Sequence, residues 1–214
     1  MTKRVDTQIC LMMSILFIGT FSWSVSAEPM KSRDAPPELV KRIKKQIRAS
    51  YGDECETPNS PRKALIFSMP AGVAPKLVQE WCIMGAYQLY AAHFLLWPDG
   101  RLEMLHFSVP VFEHRIEKKK DVSQTVIQKT TGYRTEWQLA NPEYDPKTGT
   151  LRSFRLHRGV GDSQTRGLWR WHEKQGFVLE YYDTDQSYDG VLSPAVVYSS
   201  DKKQTPETFR PGQK

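Results

Sequence analysis

The stretch from Asn141 to Gly190, NPEYDPKTGTLRSFRLHRGVGDSQTRGLWRWHEKQGFVLEYYDTDQSYDG, predicts two consecutive β-hairpins joined by a glycine turn. Its first nine residues have the composition of turns, because proline fixes φ, glycine accepts positive φ, and Asn or Asp bonds its own backbone. A strand follows at residues 150–157, and the two glycines of 158–162 then interrupt the pattern. Residues 168–172 and 177–182 form the arms of the second hairpin around a short turn.

The second hairpin carries most of the aromatic side chains of this stretch. Trp169 and Trp171 share one face of its first arm, because side chains alternate along a strand. On the second arm, Phe177, Leu179 and Tyr181 share one face. Facing arms bury such side chains against one another. The pattern therefore predicts a buried aromatic surface at the nucleus of the fold.

An amphipathic helix is predicted over residues 36–50, upstream of the β-rich region. Leu39, Ile43 and Ile47 recur at the spacing of one helical face. Proline at the start and Gly52 after the end suit the two termini of a helix. The opposite face carries a run of Lys and Arg side chains. Such a run either binds an anionic surface or, as in most helices, only keeps that face solvated.

Short β-rich segments with turn signals continue from residue 87 to residue 198, without a helical pattern of convincing length. One of the turns is Trp-Pro-Asp-Gly at 97–100, whose Asp-Gly end is typical of hairpins. We therefore predict a mainly β fold, an antiparallel β-sandwich or half-open barrel with one N-terminal amphipathic helix. The predicted organisation is a single β-rich domain over residues 28–198 and a flexible tail over 199–214.

Residues 1–27 have the pattern of a cleaved secretory signal peptide. Lys3 and Arg4 form a basic start, an apolar run covers 9–21, and the small residues at 25–27 form a cleavage site. The apolar run is shorter than the ~20 residues of a bilayer span, so we expect export and no membrane-spanning segment. Cleavage removes two positive charges and one negative charge, which lowers the net charge from +6 to +5. This charge promotes contact with anionic surfaces, but it does not indicate a nucleic-acid partner.

Several motifs in order resemble one protein family. They are Trp-Cys-Ile-Met-Gly-Ala-Tyr-Gln at 81–88, Leu-Ala-Asn-Pro-Glu-Tyr-Asp at 139–145, Thr-Gly-Thr-Leu-Arg-Ser-Phe at 148–154, Arg-Gly-Val-Gly-Asp at 158–162, Trp-Arg-Trp at 169–171 and Gly-Phe-Val-Leu at 176–179. Together they are similar to domain of unknown function 1176, a family of exported proteobacterial proteins. The resemblance implies a periplasmic protein of a Gram-negative cell and no established chemistry. The chain departs from the family pattern at Ser163 and just before Gly190, where the family usually has cysteines, as expected if one disulfide had been lost as a unit.

Cys55 and Cys82 are the only cysteines left after cleavage, since the third, Cys10, lies in the signal. In an oxidising compartment we expect them to form a disulfide, which closes a loop of about 28 residues and stabilises by ~3.5 kcal/mol on the loop-entropy model. Zinc is the alternative, but two cysteines without clustered histidines supply half of a site. We therefore predict no metal site and no cofactor.

Two patterns suggest hydrolase or calcium-binding chemistry, but the residues around each pattern do not fit that chemistry. His93 after two alanines and Ser163 after Gly-Asp echo trypsin-like peptidases, but Gln-Thr follows Ser163 where glycines are required. Acidic residues alternate over 183–189 like calcium ligands, but the segment lacks the glycine and glutamate of a calcium loop. A solvated acidic turn is the predicted structure there. The carboxylates of a glycosidase pair are available at Glu103, Asp162 and Glu180. Without the distances between them, this pattern is little evidence for such an enzyme.

The glycine turn at 158–162 is the candidate binding site. Arg158 and Asp162 flank it, and Arg155 and Arg166 lie nearby in the sequence. Backbone amides and guanidinium groups at such a turn bind phosphate or carboxylate groups. The alternative is a tight corner that an Arg–Asp pair holds together, which is a common use of glycine turns.

Two classes of function remain. The first is a periplasmic non-catalytic binding, inhibitor or envelope-maintenance protein, whose partner is an unknown envelope component such as an anionic surface or an acidic protein. The alternative is a cell-wall or glycan hydrolase of unfamiliar type, and no catalytic residue is assigned for it. A cleft with two carboxylates about 5–9 Å apart favours the enzyme, whereas an exposed aromatic or basic patch without such a cleft favours binding.

The cysteine pattern gives a first testable prediction. Thiol counting on the denatured, unreduced mature protein should find no reactive thiol, because Cys55 and Cys82 are paired. Two titratable thiols per chain would end the disulfide assignment.

Overall fold

The computed structural model of the protein describes residues 32–55, 62–70 and 74–201. Within these residues the chain forms one α-helix and thirteen strands, and the strands pair into three antiparallel sheets that do not close into a barrel. The prediction of a mainly β fold with one N-terminal helix is confirmed. The predicted signal peptide at 1–27 and the residues after 201 of the predicted tail lie outside the described residues.

The strands are arranged in two larger sheets and one long ribbon. In chain order the elements are β1 (Arg33–Asp34), α1 (Pro37–Tyr51), β2 (Leu65–Phe67), β3 (Lys76–Met84), β4 (Leu89–Leu96), β5 (Leu102–Met104), β6 (Phe107–Lys119), β7 (Val122–Glu136), β8 (Gln138–Ala140), β9 (Glu143–Asp145), β10 (Thr150–Leu156), β11 (Gln164–His172), β12 (Gly176–Asp185) and β13 (Ala195–Ser199). The first sheet has the order β1-β2-β3-β4-β5, and β8 also pairs with β4. The second sheet has the order β13-β12-β11-β10-β9, and β6 pairs with β7 in the ribbon, which contacts β12 and β13.

The two predicted hairpins between residues 150 and 182 are present as β10, β11 and β12. The sequence pattern does not reveal β3, because most of its residues are buried on both faces and the run therefore lacks period-2 alternation. The sequence pattern does not reveal β9 either, because turn residues surround it. Asp145 ends that strand and also forms the turn, since its carboxylate accepts the Lys147 N–H at 2.9 Å and its carbonyl accepts the Gly149 N–H at 2.9 Å.

Helix α1 covers the outer face of the first sheet. It begins and ends one residue later than predicted, and Leu39, Ile43 and Ile47 are its buried residues, as their spacing indicates. These side chains pack in one cluster with Val78 and Phe94 of the first sheet. The chain then turns back through the Cys55–Cys82 disulfide, which confirms the predicted pairing and ties the end of the helix to β3.

A β-bulge in β12 decides which side chains face the core of the second sheet. Trp169 lies opposite Leu179, but Leu168 lies opposite Tyr181, so Glu180 is an extra residue in β12. Because a one-residue shift exchanges the two faces of a strand, Tyr182 and not Tyr181 joins the inner face. The expectation that Tyr181 shares a face with Phe177 and Leu179 is therefore wrong.

Trp169 lies at the centre of the inner face and is 1% exposed. Its ring lies over Gly167 two residues earlier on the same strand, where a Cβ atom would stand 2.3 Å from Trp169 Cη2. Phe107 meets the ring edge-on with centroids 5.5 Å apart, and Trp169 Nε1 donates to the Ser108 carbonyl at 3.0 Å. Trp169 therefore joins the second sheet to the base of the ribbon.

The two larger sheets pack face to face through a second group of side chains. Met69, Leu77 and Leu95 of the first-sheet side are buried against a set of half-buried aromatic residues that includes Tyr144, Trp171 and Phe177. Trp171 meets Phe177 edge-on at 5.4 Å, as the hairpin pattern predicts, but it stays half-buried. The arrangement is a sandwich of two sheets, with α1 as an outer layer on the first.

Glu80 is a buried carboxylate beneath the helix. Lys44 of α1 reaches it with Nζ 3.8 Å from Oε1, while Oε2 has no hydrogen-bond partner among the residues that the structure describes. Burial raises the pKa of Glu80 from 4.5 to about 7, against the opposing effect of Lys44. The contact between helix and sheet thus contains a group that titrates near neutral pH.

Because Trp169 lies on Gly167, a methyl group added at this position should lower the stability of the protein. Gly167→Ala should destabilise the protein by about 1–3 kcal/mol, because the buried indole cannot move aside. Gly132→Ala on β7 is the matched control, since a Cβ there meets no atom within 4 Å, and its effect should stay within about 0.5 kcal/mol. Urea unfolding measures both variants, and equal midpoints would show that the ring does not cover Gly167.

Glu80 predicts a pH dependence of stability. Its pKa is raised in the folded state, so the folded chain holds a proton that the unfolded chain releases between pH 4.5 and about 7. The contribution of protonated Glu80 to the free energy of unfolding is present below pH 4.5 and is lost as pH rises through 7. From pH 5 to pH 8 the wild type should lose about 1–3 kcal/mol more than Glu80→Gln. Glu103→Gln removes an exposed carboxylate and should keep the wild-type slope; parallel slopes for all three proteins would contradict the assignment.

Candidate functional site

Two turns from different sheets meet at one end of the molecule. The β3–β4 turn closes with the Gly85 N–H donating to the Gln88 carbonyl at 2.8 Å, and it presents Tyr87. The β10–β11 turn closes with the His157 N–H donating to the Ser163 carbonyl at 2.9 Å. Gly159 touches the ring of Tyr87, since a Cβ at this position would lie 2.6 Å from Tyr87 Cε1. A side chain at 159 would therefore displace the ring of Tyr87 from the turn.

Side-chain amides fix the relative position of these turns. Gln88 Oε1 accepts the Leu156 N–H at 3.0 Å, which links the first turn to the end of β10. Asn141 accepts the Leu89 N–H at 3.0 Å through Oδ1 and donates to the Phe154 carbonyl at 3.1 Å through Nδ2. Two of the family-like motifs, at 81–88 and 158–162, thus touch directly through Tyr87 and Gly159, and Asn141 of the motif at 139–145 bonds the neighbouring Leu89 and Phe154.

Arg158 and Asp162 hold the glycine turn in shape. Both oxygens of Asp162 accept hydrogen bonds from the Arg158 guanidinium, and Asp162 Oδ2 also accepts the Gly190 N–H at 2.8 Å. The hydrogen bond from Arg158 lowers the pKa of Asp162 to about 2, so the carboxylate stays ionised. The Arg–Asp pair of the alternative interpretation is present, and it also ties the turn to the segment after β12.

The outer surface of this end is apolar and aromatic. Val160 at the tip is 76% exposed, Tyr87 is 59% exposed and Tyr188 is 47% exposed. The Arg158 guanidinium carbon lies 5.6 Å from the centre of the Tyr188 ring. We call this surface the corner, and it comprises Met84, Tyr87, Arg158–Asp162 and Tyr188.

The four predicted binding residues do not converge on one point. Arg158 and Asp162 pair with each other in the corner, while Arg155 donates to Glu136 Oε2 at 3.2 Å and lies over the ring of Tyr90 at 5.7 Å. Arg166 is buried in an ion pair with Asp183, because it alternates with Thr165 and so faces away from the inner side of the sheet. Arg155 remains near the corner, because it lies over Tyr90 and the Tyr90 hydroxyl accepts a hydrogen bond from Gln88. Arg166 is not part of the corner. An anion-binding role for these residues stays a prediction.

The acidic segment at 183–189 differs from the predicted solvated turn. Asp183 and Asp185 are fully buried. Asp183 accepts hydrogen bonds from Arg166 and from the Tyr181 hydroxyl, and Asp185 accepts the Ser187 N–H at 2.9 Å and the Ser193 N–H at 2.5 Å. These carboxylates fold the segment behind the corner. In the described part of the chain, no three His, Cys, Asp or Glu side chains are grouped as a metal site requires.

The peptidase-like residues lie in separate structural contacts. Ser163 is buried and its Oγ donates to the Asp185 carbonyl at 2.8 Å. His93 is fully buried between the sheets with Nε2 3.3 Å from Gln79 Oε1, and burial lowers its pKa to about 3, so it is neutral. Both groups are therefore used by the fold.

The three candidate acid/base carboxylates are each held by their own partners. Glu103 accepts from Trp97 Nε1 at 3.2 Å on β5, and Glu180 accepts from Arg170 Nε at 2.7 Å on the outer face of the second sheet. Asp162 is bound by Arg158 in the corner. They lie on β5, on β12 and in the β10–β11 turn, and each is engaged by a different donor.

A family model described as a protein of unknown function, DUF1176, matches residues 24–198. The chain belongs to the DUF1176 family. The match begins upstream of α1 and ends in β13, so in this DUF1176 protein it includes both sheets, the ribbon and the corner. Comparisons with curated proteins and with solved structures gave no match. Among the described residues, no helix has both the length and the apolar character that crossing a membrane requires.

Sequence reasoning missed the aromatic part of this DUF1176 corner. Tyr87 lies in a motif that carries the family resemblance, but its contact with Gly159 depends on how two sheets pack. Tyr188 belongs to the acidic segment, where the alternation of carboxylates draws attention first. The signal that could have found both was the glycine two residues from each tyrosine, Gly85 before Tyr87 and Gly190 after Tyr188.

The Asp162 contacts predict a local effect of mutation. Asp162→Ala should speed the exchange of the Gly190 amide proton by about tenfold or more, because that N–H loses its acceptor. Asp99→Ala is the control, since Asp99 accepts the Arg101 N–H in an exposed turn elsewhere and should leave Gly190 unchanged. Amide exchange followed by NMR gives both rates, and unchanged protection of Gly190 in Asp162→Ala would show that this bond does not hold the corner.

Proposed function

We propose that this DUF1176 protein is exported to the periplasm and binds an envelope protein there through the corner, without catalysing a reaction. The observation that carries the proposal is the contact of two family-like motifs, at 81–88 and 158–162, at one exposed aromatic surface. Export is supported by the signal-like pattern of residues 1–27.

The composition of the corner supports a protein partner. Tyr, Met and Arg are enriched in the centres of protein interfaces, and Met84, Tyr87, Arg158 and Tyr188 are of these types. Val160 projects from the tip of a turn that is held from behind by Asp162. A surface fixed before binding loses less conformational entropy when a partner docks.

Charge also bears on the kind of partner. Asp162 balances the charge of Arg158, so apolar packing contributes more to recognition at the corner than attraction to an anionic surface. On α1, Lys44 contacts Glu80, Arg48 pairs with Asp53, and Arg42 donates to the Gly100 carbonyl at 2.6 Å. Part of the basic charge is thus engaged within the fold, which favours a protein over the anionic surface considered from the sequence.

The alternative function, a cell-wall or glycan hydrolase, has weaker support. Its three candidate carboxylates each have a nearby donor and stand on separate elements. An inhibitor role is compatible with the corner, because an exposed turn on a rigid scaffold is a common form of inhibitor. The identity of the bound protein decides between inhibition and simple binding.

Site-specific photo-crosslinking in cells tests the proposal. A benzoyl-phenylalanine at position 160 should give one discrete adduct with an envelope protein, whereas the same group at Lys174, in the exposed turn at the opposite end of β11, should not. Tyr87→Asp introduced together with the position-160 probe should abolish the adduct, since it places a charge at the centre of the interface. The proposal is wrong if position 160 gives no adduct, if position 174 gives the same one, or if Tyr87→Asp leaves it unchanged.

A further inference from the structure

A second site lies beside the corner, where the base of the ribbon faces the second sheet. Arg134 and Glu136 of β7 lie opposite Val109 and Phe107, both buried, so they stand on the core-facing side of the ribbon. Arg155 of β10 reaches them from the second sheet. We call Arg134, Glu136 and Arg155 the arginine cluster.

The arginine cluster contains two positive charges and one negative charge, so its net charge is positive. Arg134 Nη2 donates to Glu136 Oε1 at 2.7 Å, and Arg155 Nη2 donates to Glu136 Oε2 at 3.2 Å. One carboxylate therefore serves two guanidinium groups. Burial, with Arg155 nearby, lowers the pKa of His157, so this histidine does not add charge near neutral pH. Asp183 is engaged by Arg166 on the other face of the sheet.

The cluster also has hydrogen-bond donors to spare. A guanidinium carries five N–H donors, and Glu136 receives one hydrogen bond from each arginine. The Arg155 guanidinium carbon lies 5.7 Å from the centre of the Tyr90 ring, within cation–π range. The side chains of Glu136, Arg155 and Arg134 are 18%, 33% and 56% exposed, so Glu136 and Arg155 are partly shielded from water and Arg134 is open to solvent. Charged hydrogen bonds are stronger in such a setting than on an open surface.

We propose that the arginine cluster binds a carboxylate group of a small ligand or of a chain end, with Arg155 as the main donor and Arg134 as the second. The net charge of one selects a monoanion, because a single carboxylate neutralises it while a phosphate dianion overcompensates. The planar edge of a guanidinium also matches the two oxygens of a carboxylate. This inference is independent of the protein partner proposed for the corner.

Side-chain NMR on the purified protein tests the carboxylate site. Sodium acetate, titrated against sodium chloride at constant ionic strength, should move the Arg155 Nε–Hε signal along a saturable curve. Arg155→Gln should weaken acetate binding about tenfold, as measured on the Arg134 signal. Arg170→Gln removes an arginine paired with Glu180 on the opposite face of the second sheet and should leave the curve unchanged.

A variant at Arg134 and a comparison with phosphate test the same site. Arg134→Gln changes a side chain that is 56% exposed, so the protein should stay folded while acetate binding weakens. The site does not exist as a ligand site if acetate and chloride act alike, or if the Arg170 signal shifts along the same curve. Tighter binding of inorganic phosphate than of acetate would overturn the assignment to a carboxylate. Failure here leaves the crosslinking result at position 160 unaffected.

Discussion

The stacking of Trp169 on Gly167 is the contact on which the rest of the structure depends. An indole can lie flat along its own strand only where the residue two positions earlier has no side chain, and Gly167 provides that space. In this orientation the ring meets Phe107, and its N–H reaches the Ser108 carbonyl. Trp169 thus couples the second sheet to the base of the ribbon, and further along the ribbon Tyr133 meets Tyr198 of β13 edge-on. A two-stranded ribbon is marginal by itself and needs such an anchor.

The bulge at Glu180 divides the second sheet into an apolar part and a polar part. Before it, Phe177 and Leu179 face the core; beyond it, Asp183 and Asp185 turn to the other face and become buried there. Buried carboxylates are tolerated only with full sets of donors. Arg166 supplies them for Asp183, and backbone amides of the following segment supply them for Asp185. The same segment also supplies the N–H of Gly190 to Asp162, so the polar network ends at the corner.

The sequence predicts most of the local structure and little of the site. Alternation and turn residues give β10, β11 and β12, and the spacing of Leu39, Ile43 and Ile47 gives the helix. Pairing of Cys55 with Cys82 follows from there being no other cysteine after residue 27. β3 is hidden because burial on both faces erases its alternation, and Tyr181 is misplaced because a bulge has no reliable sequence signal. The burial of Asp183 and the contact between Tyr87 and Gly159 arise from tertiary packing, which local patterns do not encode.

These features together describe a rigid sandwich that presents two turns, one from each sheet, as a single surface. The central claim is that the turn at 85–88 and the turn at 158–162 are in contact, and it is tested most directly by nuclear Overhauser effects in the purified protein. The account predicts strong effects between the Tyr87 ring protons and the Gly159 α protons, with the latter moved away from random-coil shifts by the ring current. Gly159 α protons at random-coil shifts, without effects to Tyr87, would contradict it.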